Sequence, residues 1–325
     1  MNDFLPKDSF INEAKKAKFQ PSVVIQILIF VLVFIATSIA SSIPVVIATV
    51  FQMFNKGMPD ITDIDAYTKY VIDIGYSRPI LVVTLFATAI TTLLVIIYCR
   101  CIEKRNFRSM GFVKKRAFLQ YIIGMFIGFV MFSASVLICI IQGSLEYKGF
   151  IAKGNVLFIV LFFIGFLIQG MEEEVLLRGY FMTSISTKVP VVAAIMINSV
   201  FFAMLHLMNS GISVIAFINL ILFGVFASVY AIKTNSLWGA CALHSIWNFV
   251  QGNFYGILVS GLDTKTSVFR FVSVKDGELF NGGEFGLEGG IAVTFVLIIS
   301  TLLTLLLLGN KKSYETEKEP AELNT

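Results

Sequence analysis

LFIVLFFIGFLIQGMEEEVLLR, residues 157–178, joins an unbroken apolar run to three consecutive glutamates and an arginine. A soluble helix carries its apolar residues as one stripe at a 3.6-residue period, whereas this run is apolar all round. Runs like it recur along the whole chain. Of 325 residues, 57% are hydrophobic and only 14% charged, and the mean hydropathy is +0.84. Soluble domains have roughly 45–50% apolar and about 25% charged residues. This balance excludes an ordinary cytosolic enzyme and a disordered chain. The small net charge of +4 gives no footprint for a nucleic acid. The lipid bilayer is the expected partner of most of the surface.

A helix crossing a ~30 Å hydrocarbon core needs about 20 apolar residues. About eight stretches meet this requirement: 23–51, 79–98, 117–141, 155–170, 189–207, 212–232, 236–255 and 290–308. The expected fold is an all-α polytopic membrane protein. The first stretch is overlong and contains Pro44, which predicts a tilt or kink. The four cysteines, Cys99, Cys101, Cys139 and Cys241, lie in or beside apolar runs without metal-ligand spacing and read as packing residues.

Lysine and arginine in short connections set orientation. The N-terminal segment carries Lys7, Lys15, Lys16 and Lys18, and the second connection carries Arg100, Lys104, Arg105, Arg108, Lys114, Lys115 and Arg116 against Glu103. The first connection offsets Lys56, Lys69 and Arg78 with Asp60, Asp63, Asp65 and Asp73. The expected order is a cytoplasmic tail over 1–22, three helices over 23–154, a core over 155–255, an extracytoplasmic loop over 256–289, a last helix over 290–309 and a disordered cytoplasmic tail over 310–325. Both termini are then cytoplasmic, in the plasma membrane of a bacterium. NGGEFGLEGG, residues 281–290, reads as a flexible glycine-rich loop.

Ionisable groups inside a membrane are costly and mark function by default. The two histidines, His206 and His244, and the acids Glu172, Glu173 and Glu174 all lie in or beside consecutive apolar runs. On a helix, Glu174 and Arg178 share a face in the favourable acid-to-base order, while Glu173 is rotated by about 100° from Glu174. His244 and Asn248 share a face, as do Asn198, Phe202 and His206. These stripes are expected to meet around a wet pocket. Asn198 and Asn219 read as hydrogen-bonding glue between helices. Simple threading nevertheless puts Glu173 near the inner end of its span and His206 near the outer end of the next. Convergence therefore requires the fourth helix to continue past Arg178, or the fifth to be bent or to start deep.

At these residues the chain resembles the CAAX-protease and bacteriocin-processing (CPBP, or Abi) family of intramembrane proteases. The family's paired glutamates, three further residues and arginine match Glu173-Glu174-Val175-Leu176-Leu177-Arg178. Its phenylalanine and histidine four residues apart match Phe202 and His206, and its last motif matches His244-Ser245-Ile246-Trp247-Asn248. Thr234-Asn235-Ser236-Leu237-Trp238 resembles the family's polar turn before that motif. The likeness covers roughly residues 155–255, the expected four-helix catalytic core. Glu172 is extra to the pattern and is assigned to the helix surface.

The resemblance implies an endopeptidase, glutamic or metal-assisted, that cleaves a membrane-associated peptide or protein near the cytoplasmic face. Glu173 is the candidate general base, since a carboxylate removed from bulk water is a better proton acceptor. His206 shares the water or relays its proton, and His244 and Asn248 bond the oxyanion. Glu174, Arg178 and Phe202 hold the site or orient substrate, Arg178 being alternatively a ligand for a substrate carboxylate. No cofactor is required by this scheme. In the metal-assisted version Glu173, His206 and His244 hold a zinc ion, although the zinc-protease pattern with two histidines on one helix is absent. Two other functions fit a polar membrane core. One is a non-catalytic scaffold for bacteriocin immunity or sensor regulation. The other is a proton-coupled transporter, for which no inverted repeat is visible.

Overall fold

From Val23 to Lys56 the only helix-disfavouring residue of note is Pro44, and the chain forms one 34-residue helix through it. At 1.5 Å per residue this helix is about 51 Å long, well over a hydrocarbon core. Its side chains are largely exposed and apolar, as a lipid-facing helix requires. The computed structural model describes residue 5, residues 9–59 and residues 62–308. The expected tail 310–325, Lys7 and Asp60 lie outside the described residues.

The elements in chain order are α1 (Phe10–Ala14), α2 (Val23–Lys56), α3 (Ile64–Gly75), α4 (Arg78–Cys101), α5 (Ala117–Gln142), β1 (Leu145–Phe150), α6 (Val156–Glu174), a π-helical stretch Val175–Met182, α7 (Thr183–Ile185), α8 (Val191–Met204), α9 (Val214–Thr234), α10 (Trp238–Phe249), a π-helical turn Val250–Phe254, β2 (Phe269–Ser273), α11 (Glu278–Asn281) and α12 (Ile291–Leu308). Among the described residues, 6 helices are long and apolar enough to cross a membrane. The expected count of about eight is reduced because the fifth and seventh stretches form shorter helices. Helix α8 has 14 residues, and α10 has 12 before its π-helical turn. The fourth stretch is longer than expected. It runs as one apolar helix from Val156 to Ile185, 30 residues, straight through the charged cluster.

Cross-contacts fix the directions. Arg78 donates to Asn155 Oδ1 at the start of α4 and α6, and Tyr98 packs on Tyr180 near their ends, so these two helices are parallel. Gly124 of α5 lies against Gly239 of α10, and Tyr255 donates to Ser133 further along, so that pair is parallel too. The bundle thus has two distinct ends. At one end lie α1, the 102–116 connection and the α9–α10 turn, tied by Leu237 N to Gly111 O at 2.8 Å and Phe10 N to Asn235 Oδ1 at 2.9 Å. Phe10 and Ile11 are buried there, so the N-terminal segment is docked from Ser9 onward. In the same region Arg105 contacts Glu103 at 2.6 Å and donates to Thr183 Oγ1. Burial pushes the Glu103 carboxyl up, opposed by Arg105 and by the Ser184 hydroxyl.

The other end carries the antiparallel β1–β2 ribbon, whose register shifts between Tyr147 and Gly149, and the 255–290 segment. The glycine-rich stretch is packed, contrary to the flexible loop expected. Phe285, Leu287 and Gly289 are buried. Gly286 has φ +87°, and a Cβ there would sit 2.0 Å from the Leu258 carbonyl oxygen. Its glycines serve close packing.

Helix α10 is buried from Gly239 to Asn248, because small residues let its neighbours approach. A Cβ on Gly124 would lie 2.2 Å from Gly239 O, and one on Gly128 would lie 2.5 Å from Leu243 O. This G-x-x-x-G spacing brings backbones into contact as membrane helices commonly do. Gly128→Ala is expected to destabilise by ~1–3 kcal/mol through overpacking, seen as a lower thermal midpoint in detergent. Gly75→Ala, where nothing lies within 4 Å, should leave the midpoint unchanged.

Candidate active site

The site begins with the antiparallel packing of α8 on the extended α6. Phe181 meets Phe201 with ring centroids 5.1 Å apart, and the Arg178 guanidinium lies 4.7 Å over the Phe202 ring. Continuing along both helices in opposite directions brings Glu173 and His206 to the same cavities. The threading conflict is resolved in the way the sequence required. The fourth helix continues past Arg178, which puts Glu173 in its middle, and α8 stops at Met204, short of a full crossing. The π-helical geometry starts directly after Glu174, and π insertions of this kind are frequent at functional sites.

Glu174 is fully buried. Its Oε1 accepts from Arg178 Nη1 at 2.9 Å and contacts His244 Nδ1 at 2.8 Å. A carboxylate buried without a cation would be strongly unfavourable, so Arg178 and His244 stabilise it jointly. Arg178 is itself fully buried and lays its flat face on Phe202, a cation–π contact. The i, i+4 pair expected from the sequence is therefore present, and His244 closes it from α10. The ring of His244 is held edge-on by Phe223 at 4.8 Å, leaving Nε2 directed at Glu173 Oε2, 3.5 Å away.

Glu173 meets the His244 ring at the nitrogen opposite the one that Glu174 holds. Its Oε1 accepts from Gln169 Nε2, and Gln169 Oε1 accepts from Asn248 Nδ2 at 3.0 Å. Gln169 thus links the base on α6 to the asparagine on α10. Glu173 Oε2 has no hydrogen-bond partner among the described residues. His206 Nδ1 lies 2.8 Å from the Phe202 carbonyl, one of the carbonyls left open where α8 ends. A carbonyl only accepts, so Nδ1 donates, and in the neutral ring Nε2 keeps its lone pair.

Glu173, His206, His244 and Asn248 line one cavity of about 360 Å³ together with Gln169 and Phe223. A second cavity of about 240 Å³ adjoins Glu173 and His206 and includes Glu172, Phe34 and Leu205. Glu172 is therefore turned inward, 9% exposed, and the surface position expected for it is corrected. Asn198 donates to Ser228 and Asn219 to the Glu288 and Gly290 carbonyls, both between elements. Among the described residues no three His, Cys, Asp or Glu side chains are grouped to hold a metal. His244 Nδ1 is engaged by Glu174 and His206 Nδ1 faces a backbone carbonyl. With each Nδ1 so engaged, Nε2 is the ring nitrogen that both histidines keep for the cavity they share with Glu173, the arrangement that metal-ligating histidines also have.

Sequence reasoning missed Gln169 and Glu288. Gln169 precedes Glu173 by four residues within an apolar run, a same-face spacing that was available to find it. Glu288 lies in the glycine-rich stretch, where no periodicity marks it. It accepts from Trp247 Nε1 at 2.9 Å, and from Ser260 N and Oγ at 3.0 and 2.7 Å. It also lines the larger cavity. It thereby holds the tight turn Val259–Leu262 against the site.

The fold and this buried polar cluster define an all-α polytopic membrane protein with a carboxylate–imidazole site enclosed by its helices. Residues 155–250 match the family model described as Rce1-like, type II CAAX prenyl endopeptidase. The CAAX-protease (CPBP) resemblance read from the three motifs is thereby shown over this segment. In the other two comparisons, no curated protein and no solved structure matches.

Glu288→Ala leaves Trp247 Nε1 and Ser260 N without their acceptor, a loss of ~1–3 kcal/mol per buried group. The expected outcome is a lower thermal midpoint and faster proteolysis within 257–262, measured by mass spectrometry of limited digests.

Proposed function

We propose that the protein is an intramembrane endopeptidase that hydrolyses a peptide bond of a membrane-associated peptide or protein. The observation that carries this reading is the sharing of one cavity by Glu173, His206, His244 and Asn248, within the segment that matches a peptidase family.

In the proposed reaction a water molecule lies between Glu173 Oε2 and His206 Nε2. Glu173 takes its proton as the oxygen attacks the scissile carbonyl carbon. His244 Nε2–H and the Asn248 amide donate to the oxyanion that forms, an effect worth several kcal/mol per well-placed donor. The C–N bond then breaks, and the leaving amine takes the proton held by Glu173. Glu174 does not touch the reacting atoms. It orients the His244 ring through Nδ1 and stabilises an imidazolium, while Arg178 balances its charge. Phe202 carries Arg178 on one side and packs near His206 at 4.8 Å, and so ties the arginine to the second histidine. Each role uses groups of this chain alone.

The reading is tested by purified variants acting on a membrane-associated peptide substrate. Glu173→Gln should lower hydrolysis by roughly 10²–10⁴-fold while the thermal midpoint is retained. Unchanged hydrolysis in that variant overturns the mechanism. Arg178→Ala leaves Glu174 buried with less compensation, at ~3–5 kcal/mol, and should lose folded protein as well as activity. Stable but inactive Arg178→Ala protein would instead place the arginine in substrate binding.

A further inference from the structure

The side of the bundle from which the active cavity is reached has its own consequence for the substrate. Besides the site residues and Leu85, Phe166 and Leu220 on the helices, the cavity is lined by Tyr76, Met208, Ser210, Ser260, Leu262 and Glu288. All six belong to connections at the β-ribbon end: between α3 and α4, between α8 and α9, and in the segment between α10 and α12. Met208 and Tyr76 are exposed, the former almost completely. No residue of 102–116, 186–190 or 235–237, the connections at the opposite end, lines it. The path toward that opposite end is filled. The second cavity reaches Leu176 and Leu177, and below Glu174 and Arg178 lie Tyr180, Phe181, Leu237 and Cys241, all buried. Arg105 adds bonds to the Gly179 and Tyr180 carbonyls and to Thr183.

The two ends also differ in charge. The closed end carries Lys15, Lys16, Lys18, Arg100, Lys104, Arg105, Arg108, Lys114, Lys115, Arg116, Lys188 and Lys233, against Glu13 and Glu103. At the open end Lys56, Lys69, Arg78, Lys148, Lys153, Lys265, Arg270 and Lys275 are offset by Asp63, Asp65, Asp73, Glu146, Asp263, Asp276, Glu278 and Glu284. Short connections rich in Lys and Arg stay in the cytoplasm. The basic end is therefore inside, and the mouth of the cavity is outside.

We infer that the site takes its substrate from the extracytoplasmic face. Resting on the endopeptidase reading, this names the substrate class: a peptide segment already translocated, either an exported peptide at the outer surface or the outer juxtamembrane segment of a membrane protein. It replaces the expectation of cleavage near the cytoplasmic face. A lipid-modified C-terminus confined to the cytoplasm would meet the closed, basic end. Within the outer wall, the exposed Met208 and Tyr76 are what an entering chain meets first, with the Val259–Leu262 turn and the buried Glu288 beneath them.

The orientation is tested on the full-length protein in a Cys101→Ser background, since Cys101 is the one exposed cysteine among the described residues. Single cysteines are introduced as Met208→Cys and Tyr76→Cys at the mouth and Lys115→Cys at the basic end. A membrane-impermeant maleimide added to intact cells should label the first two, and should label Lys115→Cys only in inverted vesicles. The reverse pattern overturns the inference, whatever the protein's activity. In a second arm, right-side-out vesicles receive an impermeant peptide substrate from outside. Hydrolysis without permeabilisation is expected, with Glu173→Gln inactive. Hydrolysis only after permeabilisation again overturns the inference. Absence of hydrolysis under both conditions, with labelling as expected, counts against the endopeptidase reading and leaves the orientation standing.

Discussion

The structure depends on a carboxylate placed where lipid surrounds the protein. Glu174 has no water to solvate it, so its charge must be met by the protein itself. Arg178 from the same helix and His244 from α10 meet it on one oxygen. That requirement sets which face of α6 turns inward and how deep α10 must sit. It also holds the Nδ1–H and the direction of His244, so the electrostatic solution for a buried charge is at the same time the alignment of a ring toward Glu173. Buried ion pairs are poor sources of net stability; their use here is positional.

The backbone contacts follow from the same need. For His244 to reach Glu174, α10 must approach its neighbours more closely than ordinary side chains permit. Gly124 and Gly128 on α5 and Gly170 on α6, which faces Ser245, remove the side chains that would hold it away. The early end of α8 completes the arrangement. By stopping at Met204 it frees the Phe202 carbonyl for His206 and leaves space beside Glu173. The outer connections then descend to roof the cavity, held by Glu288 through Trp247 and Ser260. Trp247 packs on Phe223 at 5.5 Å, and Phe223 packs on His244. The roof is thus joined mechanically to the imidazole.

Much of this was legible in the sequence. The apolar runs give the membrane class, because burial in lipid demands a composition that nothing else demands. The Glu174–Arg178 pair followed from helical spacing, and the shared cavity from polar stripes on successive helices. The number of spanning helices was less legible. Hydropathy registers 189–207 and 236–255 as spans, but it does not register that the first turns back at His206 or that the second is enclosed by protein. The charged cluster suggested an end to the fourth helix, since charge usually marks an interface; internal neutralisation lets the helix continue instead. The packed state of 281–290 was hidden because glycine signals permissiveness equally in a loose loop and in a close contact. The direction of the cavity mouth required coordinates, since it depends on which connections fold back over the site.

The central claim is that Glu173, His244 and Asn248 surround the carbon at which an amide is cleaved. The most direct measurement is an experimental structure of the full-length protein with a phosphinic peptide, whose tetrahedral phosphorus imitates the attacked carbonyl. The account predicts one phosphinate oxygen bonded by His244 Nε2 and the Asn248 amide, and the other beside Glu173. A phosphinate bound outside this cavity, or within it but turned away from Glu173 and His244, would contradict the account.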